Sequence, residues 1–104
     1  MQISEILKKI NSNFKIYNFF ETDIKGITAH SDEVKKNFIF GAVKGSKKNG
    51  EKYINSLLKY QPLVFIVSSE SKLNFKTNKN QKIIIIRTNC VKKLLYELAS
   101  IFYS

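Results

Sequence analysis

Phe38–Val67 reads FIFGAVKGSKKNGEKYINSLLKYQPLVFIV, and this stretch decides the fold. The apolar run Phe38–Val43 predicts a strand, and KGSKKNG after it has the composition of a loop. Tyr53, Ile54, Leu57 and Leu58 then fall on one stripe at helical spacing, so EKYINSLLKY predicts a helix, with Asn49 or Gly50 as its cap. Pro62 stops that helix. Leu63–Val67, LVFIV, is apolar at every position, which is the pattern of a strand buried on both faces.

The same signals repeat outward from this stretch. KIIIIR (Lys82–Arg87) predicts another buried strand, and SSESKLNFKTNKNQ between the two is a polar excursion of loop composition. NCVKKLLYELASIFY places Val91, Leu94, Leu95, Leu98 and Ile101 at helical positions, with Thr88 or Asn89 as the cap. Upstream, DIKGITAH (Asp23–His30) alternates like a strand, with Gly26 marking a bulge or a close approach, and SDEVKKN is a polar connection. SEILKKINSNF sets Ile6, Leu7, Ile10 and Phe14 at helical spacing behind Ser4 as N-cap. The class is therefore α/β. One small domain, 1–104, is expected, with a mixed sheet of about four to five strands packed by about three helices.

The net charge is +10, which admits nucleic acid, an acidic membrane surface or an anionic substrate as partner. All the basic residues except Arg87 are Lys, and the chain is also rich in Asn, Ile and Phe. Those residues share A/T-rich codons, so a genome's base composition explains the bias without a partner. Arg, the residue of bidentate nucleic-acid contacts, is nearly absent, so no nucleic acid is expected as partner. Cys90 is the one cysteine, which excludes a disulfide within the chain and favours a reducing compartment; such a residue is expected to be a small buried apolar group. No run approaches the roughly 18 apolar residues of a membrane span, and MQISEILKKI lacks the layout of a signal peptide. A cytoplasmic protein with no membrane partner is expected. The chain stops directly after its last helix, as a domain of something longer would.

The two glycines of the first loop, Gly45 and Gly50, raise the question of a P-loop. A P-loop needs Lys directly after its second glycine, then Ser or Thr for the metal. Here Gly50 is followed by Glu51, Lys52 and Tyr53. The Lys is one residue late, which on a helix turns it by about 100°. The hydroxyl is missing, and Glu51 puts negative charge where the phosphates would sit. The general physics of the loop survives: glycines let backbone N–H groups converge, the following helix points its positive end there, and Lys47 and Lys48 add charge. An anion held at the loop and a plain solvent-facing turn both fit. His30 is the only histidine, so no metal site built from a pair of histidines is available. No catalytic residues and no metal ligands are expected in this chain, which reads as a binding module. Its aromatic residues are expected at core-like positions.

Four segments together resemble the N-terminal domain of the Mur ligases, ATP-dependent enzymes that build the peptidoglycan stem peptide. GITAHSDEV is similar to the family's strand followed by Asp-Ser-Arg. KKNFIFGAVKG is similar to its pGDlFvAlkG strand, GSKKNGEKYI to its loop and helix start, and VKKLLYELASIFY to the helix before the ATP-binding domain. The resemblance runs from about Ile24 to Tyr103. The Phe-Tyr ending is most similar to the members that add the third residue, diaminopimelate or lysine, to UDP-N-acetylmuramoyl-L-alanyl-D-glutamate; the D-alanyl-D-alanine-adding members are the alternative.

The resemblance implies that this domain holds the UDP part of the substrate, a UDP-N-acetylmuramoyl-dipeptide. It implies no cofactor in the domain itself, while ATP and magnesium belong to central and C-terminal domains absent from this chain, which would be its further partners. Carried over by position, the UDP contacts fall on Ala29 and Ser31 and on Ser46, Lys47 and Lys48. Ser31 Oγ would meet uracil or ribose, and the loop would meet the diphosphate. The departures are His30 for Asp, Asp32 for Arg, Asn37-Phe38 for Gly-Asp and Asn49 for Asp, and they bear on ligand contacts more than on fold. A reading from a different class, resting on the net charge, is a free-standing basic α/β module that binds RNA or another polyanion.

Overall fold

Every side chain from Leu63 to Val67 is buried, and so is every one from Ile83 to Ile86. Strands covered on both faces need sheet neighbours at their sides and helices above and below. The computed structural model, which describes residues 1–43, 53–72 and 81–104, shows how the chain supplies them. β4 (Leu63–Ser68) runs parallel to β5 (Ile83–Thr88) on one side and to β3 (Phe38–Gly41) on the other. β2 (Gly26–Thr28) extends the sheet beyond β3 in parallel, and β1 (Lys15–Tyr17) closes the far edge antiparallel to β5. The order is β1-β5-β4-β3-β2, a mixed five-stranded sheet, as the sequence implies.

Alternation along the strands divides the core in two. Val64, Ile66, Ile84 and Ile86 join Ile27 and Ile39 under α1 (Ile3–Leu7) and α3 (Val91–Phe102). The helices contribute Ile3 and Ile6, and Val91, Leu94 and Leu98. Leu63, Phe65, Val67, Ile83, Ile85 and Phe40 form the other cluster, with Ile54 and Leu57 of α2 (Ile54–Leu57). There Phe40 and Phe65 meet edge to face with ring centroids 6.3 Å apart. A buried Leu, Ile or Phe contributes about 1.5–3 kcal/mol, while the Lys25–Asp23 ion pair is exposed and screened by solvent, so the two cores hold the fold.

The N-terminal helix is shorter than its periodicity implies. It ends at Leu7, although Ile10 and Phe14 still pack against the core. A carboxylate competes for the backbone that would continue it. Glu97 of α3 accepts the Asn11 N–H at 2.9 Å, the Ser12 N–H at 3.2 Å and the Ser12 hydroxyl. Nor is Ser4 the N-cap. It lies inside α1, and Glu21 takes its N–H at 3.1 Å and its hydroxyl at 2.7 Å, so a carboxylate distant in sequence satisfies the helix start. β1, which follows, is a three-residue strand that the sequence reading does not contain.

The caps expected of α3 also serve elsewhere. Thr88 Oγ1 donates to the Asn13 carbonyl at 3.0 Å, and Asn89 accepts from Ser69 Oγ at 2.8 Å. Cys90 occupies the N-cap without a side-chain bond and is exposed, against its expected burial. Several aromatics also depart from core positions: Tyr17, Phe19, Tyr96 and Tyr103 are all exposed. Asn49 and Gly50, the expected caps of α2, lie outside the described residues; the described helix has Tyr53 at its N-cap and tightens into a 3-10 turn at Leu58–Tyr60.

Gly26 marks a close approach. A Cβ there would stand 2.7 Å from Cε1 of Phe38, its register partner on β3. Asn37, just before β3, has φ 66°, the left-handed region that glycine and, next to it, asparagine adopt most readily. The Gly-to-Asn departure in this motif therefore leaves the backbone path open. At the outer edge of β2, the Tyr103 hydroxyl accepts from the Ile27 N–H at 3.0 Å and lies 3.3 Å from the Ile27 carbonyl as donor, closing a strand edge that has no strand beside it among the described residues.

Two outcomes follow for stability. Tyr103→Phe, which keeps the ring and removes both bonds, is expected to cost about 1–2 kcal/mol in urea denaturation; an unchanged midpoint would show that water replaces the hydroxyl at no cost. The second concerns acid. Hydrogen bonds from Ser4 hold the Glu21 carboxyl below its usual range, and those from Ser12 and Asn11 do the same for Glu97. Lys25 and the N-terminal amino group pull Asp23 down to about 2. A depressed folded pKa stabilises the protein above the unfolded pKa, and that stability drains as pH falls through the folded one. Stability should thus be level in these groups down to the ordinary carboxylate range, near 4.5 for Glu and 3.8 for Asp, then fall toward pH 2. Glu97→Gln should flatten that fall in denaturant midpoints measured across the acid range.

Candidate functional site

β2 and β3 run in parallel, so their carboxyl ends open on the same side of the sheet. Beyond β2 the chain turns sharply. His30 serves as N-cap of a 3-10 turn, Ser31–Glu33, whose Glu33 N–H returns to the His30 carbonyl at 3.0 Å. Thr28 braces this turn with its hydroxyl, which accepts the His30 N–H at 3.0 Å and donates to Glu33 Oε1 at 3.1 Å. Residues 28–33 thereby form a short, internally bonded corner at the end of an edge strand.

A cleft of about 670 Å³ lies between this corner and the outer side of α3. Ile27, Thr28, Ala29, His30 and Glu33 line it from the strand side. Lys92, Leu95, Tyr96 and Ala99 line it from the helix, and Val43 joins them from beyond β3. Ile27, Val43, Leu95 and Ala99 give apolar walls, Thr28, His30, Glu33 and Lys92 a few polar groups, and Tyr96, 74% exposed, an aromatic face. This mixture suits a partly apolar, planar ligand held at a few polar points.

The expected contact residues divide three ways. Ala29 lines the cleft. Ser31 sits at the start of the 3-10 turn, half-buried, next to the lining residue His30 but outside the lining itself. Ser46, Lys47 and Lys48 lie outside the described residues; Val43, close before them in sequence, lines the cleft. Of the departures beside Ser31, His30 faces the cleft and Asp32 does not line it.

Sequence reasoning missed Thr28, Glu33, Lys92 and Tyr96. A signal was present for two of them. Lys92, Leu95, Tyr96 and Ala99 recur at helical spacing beside the buried stripe of Val91, Leu94 and Leu98, so an exposed aromatic falls on a second, half-apolar face of the same helix.

No group of three or more His, Cys, Asp or Glu side chains able to hold a metal ion occurs among the described residues. No helix among them is long and apolar enough to cross a membrane. Described lysines occur on β1 (Lys15), just before β2 (Lys25), after α1 (Lys8, Lys9), before β3 (Lys35, Lys36) and on α3 (Lys92, Lys93), among other places.

No family model matches the chain. Curated relatives do. The chain is 35% identical over 85 residues to the UDP-N-acetylmuramoyl-L-alanyl-D-glutamate--2,6-diaminopimelate ligase of Rickettsia felis, covering 82% of this chain and 15% of that protein. It is 31% identical over 103 residues to the protein of the same name from Clostridium tetani, covering 99% and 20%. It is 33% identical over 94 residues to that of Rickettsia typhi, covering 90% and 17%. The chain thus spans about a fifth or less of the length of the curated relatives it matches.

The corner itself is open to test. Thr28→Val keeps shape and removes the hydroxyl that braces the turn. It should lower stability by about 1 kcal/mol and shift backbone amide resonances mainly within residues 28–34. Shifts spread over the whole sheet would show that the hydroxyl supports the strand and not the corner.

Proposed function

Because the chain belongs to the Mur ligase family, we propose that it is the domain that holds the UDP end of the substrate in an ATP-dependent peptidoglycan-precursor ligase. The complete enzyme would act in the cytoplasm, where its nucleotide-linked substrate is made. It would join diaminopimelate, the amino acid in the relatives' name, to UDP-N-acetylmuramoyl-L-alanyl-D-glutamate. The observation that carries the reading is the cleft at the carboxyl end of β2, lined by Ala29, in a chain whose relatives are named for a UDP-linked substrate. Ala29 and Ser31 would meet the uridine, and Ser46, Lys47 and Lys48 the diphosphate.

The domain's contribution is positioning. A nucleotide handle fixed far from the reacting carboxylate supplies binding energy that orients the rest of the substrate. ATP and magnesium would be held by other domains of the full enzyme. In sequence, Gly50 is followed by Glu51 where a P-loop has Lys, and no cluster of three or more His, Cys, Asp or Glu able to hold a metal ion occurs among the described residues. No chemical step is assigned to this chain. The reading of a free-standing polyanion binder rests on net charge alone, and no nucleic acid or membrane is proposed as a partner.

Titration of the isotope-labelled chain with UDP-N-acetylmuramoyl-L-alanyl-D-glutamate tests this. Shifts should cluster at Thr28–Ser31 and around Val43 and survive moderate salt. A short RNA that shifts many lysine neighbours, where the nucleotide sugar shifts nothing, would overturn the reading in favour of the basic module.

A further inference from the structure

Tyr96 on α3 and Tyr103, the residue that caps its C-terminus, are seven residues apart, with Ala99 between them. Tyr103 has a structural task, because its hydroxyl closes the outer edge of β2 at Ile27. Tyr96 has none of that kind. Its ring is 74% exposed, the most exposed large hydrophobic side chain among the described residues, and it lines the cleft. An aromatic face left in water costs free energy that an occupant of the cleft would recover.

What occupies it follows from the opposite wall. Along an edge strand, the main-chain groups of alternate residues point to the open side. Ile27 is such a residue, and Tyr103 takes both of its groups. Ala29, just past the end of β2, lines the cleft beside Thr28, His30 and Glu33. The cleft therefore sets a few polar side chains on one side against an aromatic ring on the other. A planar heterocycle with a polar edge matches both at once: its edge meets the polar groups and its face lies on the ring.

We propose that Tyr96 is the stacking wall for the pyrimidine base of the nucleoside diphosphate, and so a specificity-determining residue of the cleft. The inference rests on the reading of the cleft as a UDP site and deepens it by saying what holds the base. Lys92, one helical turn before Tyr96, lines the same wall.

The test uses UDP and the 104-residue chain as wild type, Tyr96→Ala and Tyr96→Phe. A base lying on the ring feels its ring current, so the uracil H5 and H6 resonances should move upfield on binding to wild type and to Tyr96→Phe. In Tyr96→Ala that movement should vanish and affinity fall by about tenfold or more, the usual weight of one base–aromatic stack. Tyr96 is exposed, so the variants should match wild type in thermal melts. Unchanged affinity and unchanged uracil shifts in Tyr96→Ala would overturn the stacking role while leaving the UDP site standing. Failure of UDP to bind the folded wild-type chain at millimolar concentration would remove the UDP reading itself, and this inference with it.

Discussion

The structure depends on one constraint: β4 and β5 are apolar at nearly every position, so neither face of the central sheet can meet water. A strand that alternates can leave one face to solvent; these two cannot. The chain must place helices on both sides of the pair and strands along both flanks. It does so with few residues, using α1 and α3 on one face, α2 on the other, and β1 and β3 beside the pair. The polar contacts come second. Glu21 and Glu97, both exposed or half-exposed carboxylates, position the ends of elements that the apolar layers have already demanded.

The strongly patterned elements were legible in the sequence because burial leaves a direct mark on residue type. LVFIV, KIIIIR and the Val91–Leu94–Leu98 stripe each state which surfaces are covered. Helix ends were not legible. Ser4, Thr88 and Asn89 are all good capping residues by type, yet each bonds a partner brought from elsewhere in the chain: Glu21, Asn13 and Ser69. β1 escaped notice because a three-residue edge strand with one half-buried side chain, Ile16, has almost no periodicity to read. For the site, the resemblance led to Ala29, which lines the cleft. Tyr96 and Lys92 were hidden by the assumption that a helix has one apolar side, whereas α3 has a buried stripe and, next to it, a half-exposed one.

Three departures from the family pattern acquire physical meaning. Asn37, in place of glycine, keeps a left-handed backbone that few other residues tolerate, and Phe38, in place of aspartate, lays its ring against Gly26. The edge of the sheet that bears the candidate site is therefore braced by an aromatic ring on one side and by Tyr103 on the other. His30, in place of aspartate, faces the cleft. Its imidazole changes the polar lining without altering the corner, since Thr28 and Glu33 bond the main chain of this turn and each other.

Glu97 clasps a segment 85 and 86 residues before it, and β1 takes its partner from β5, far along the chain. On a ribosome this matters. The first strand emerges early and has nothing to pair with until β5 follows, and the α1 side of the sheet stays uncovered until α3 is made. A chain wired in this way gains little from folding as it is synthesised. Its N-terminal third has local bonds of its own, Ile3 N–H to the Thr22 carbonyl and Ile24 N–H to the Met1 carbonyl, but Ile3, Ile6, Ile24 and Ile27 complete their core only when the last helix arrives.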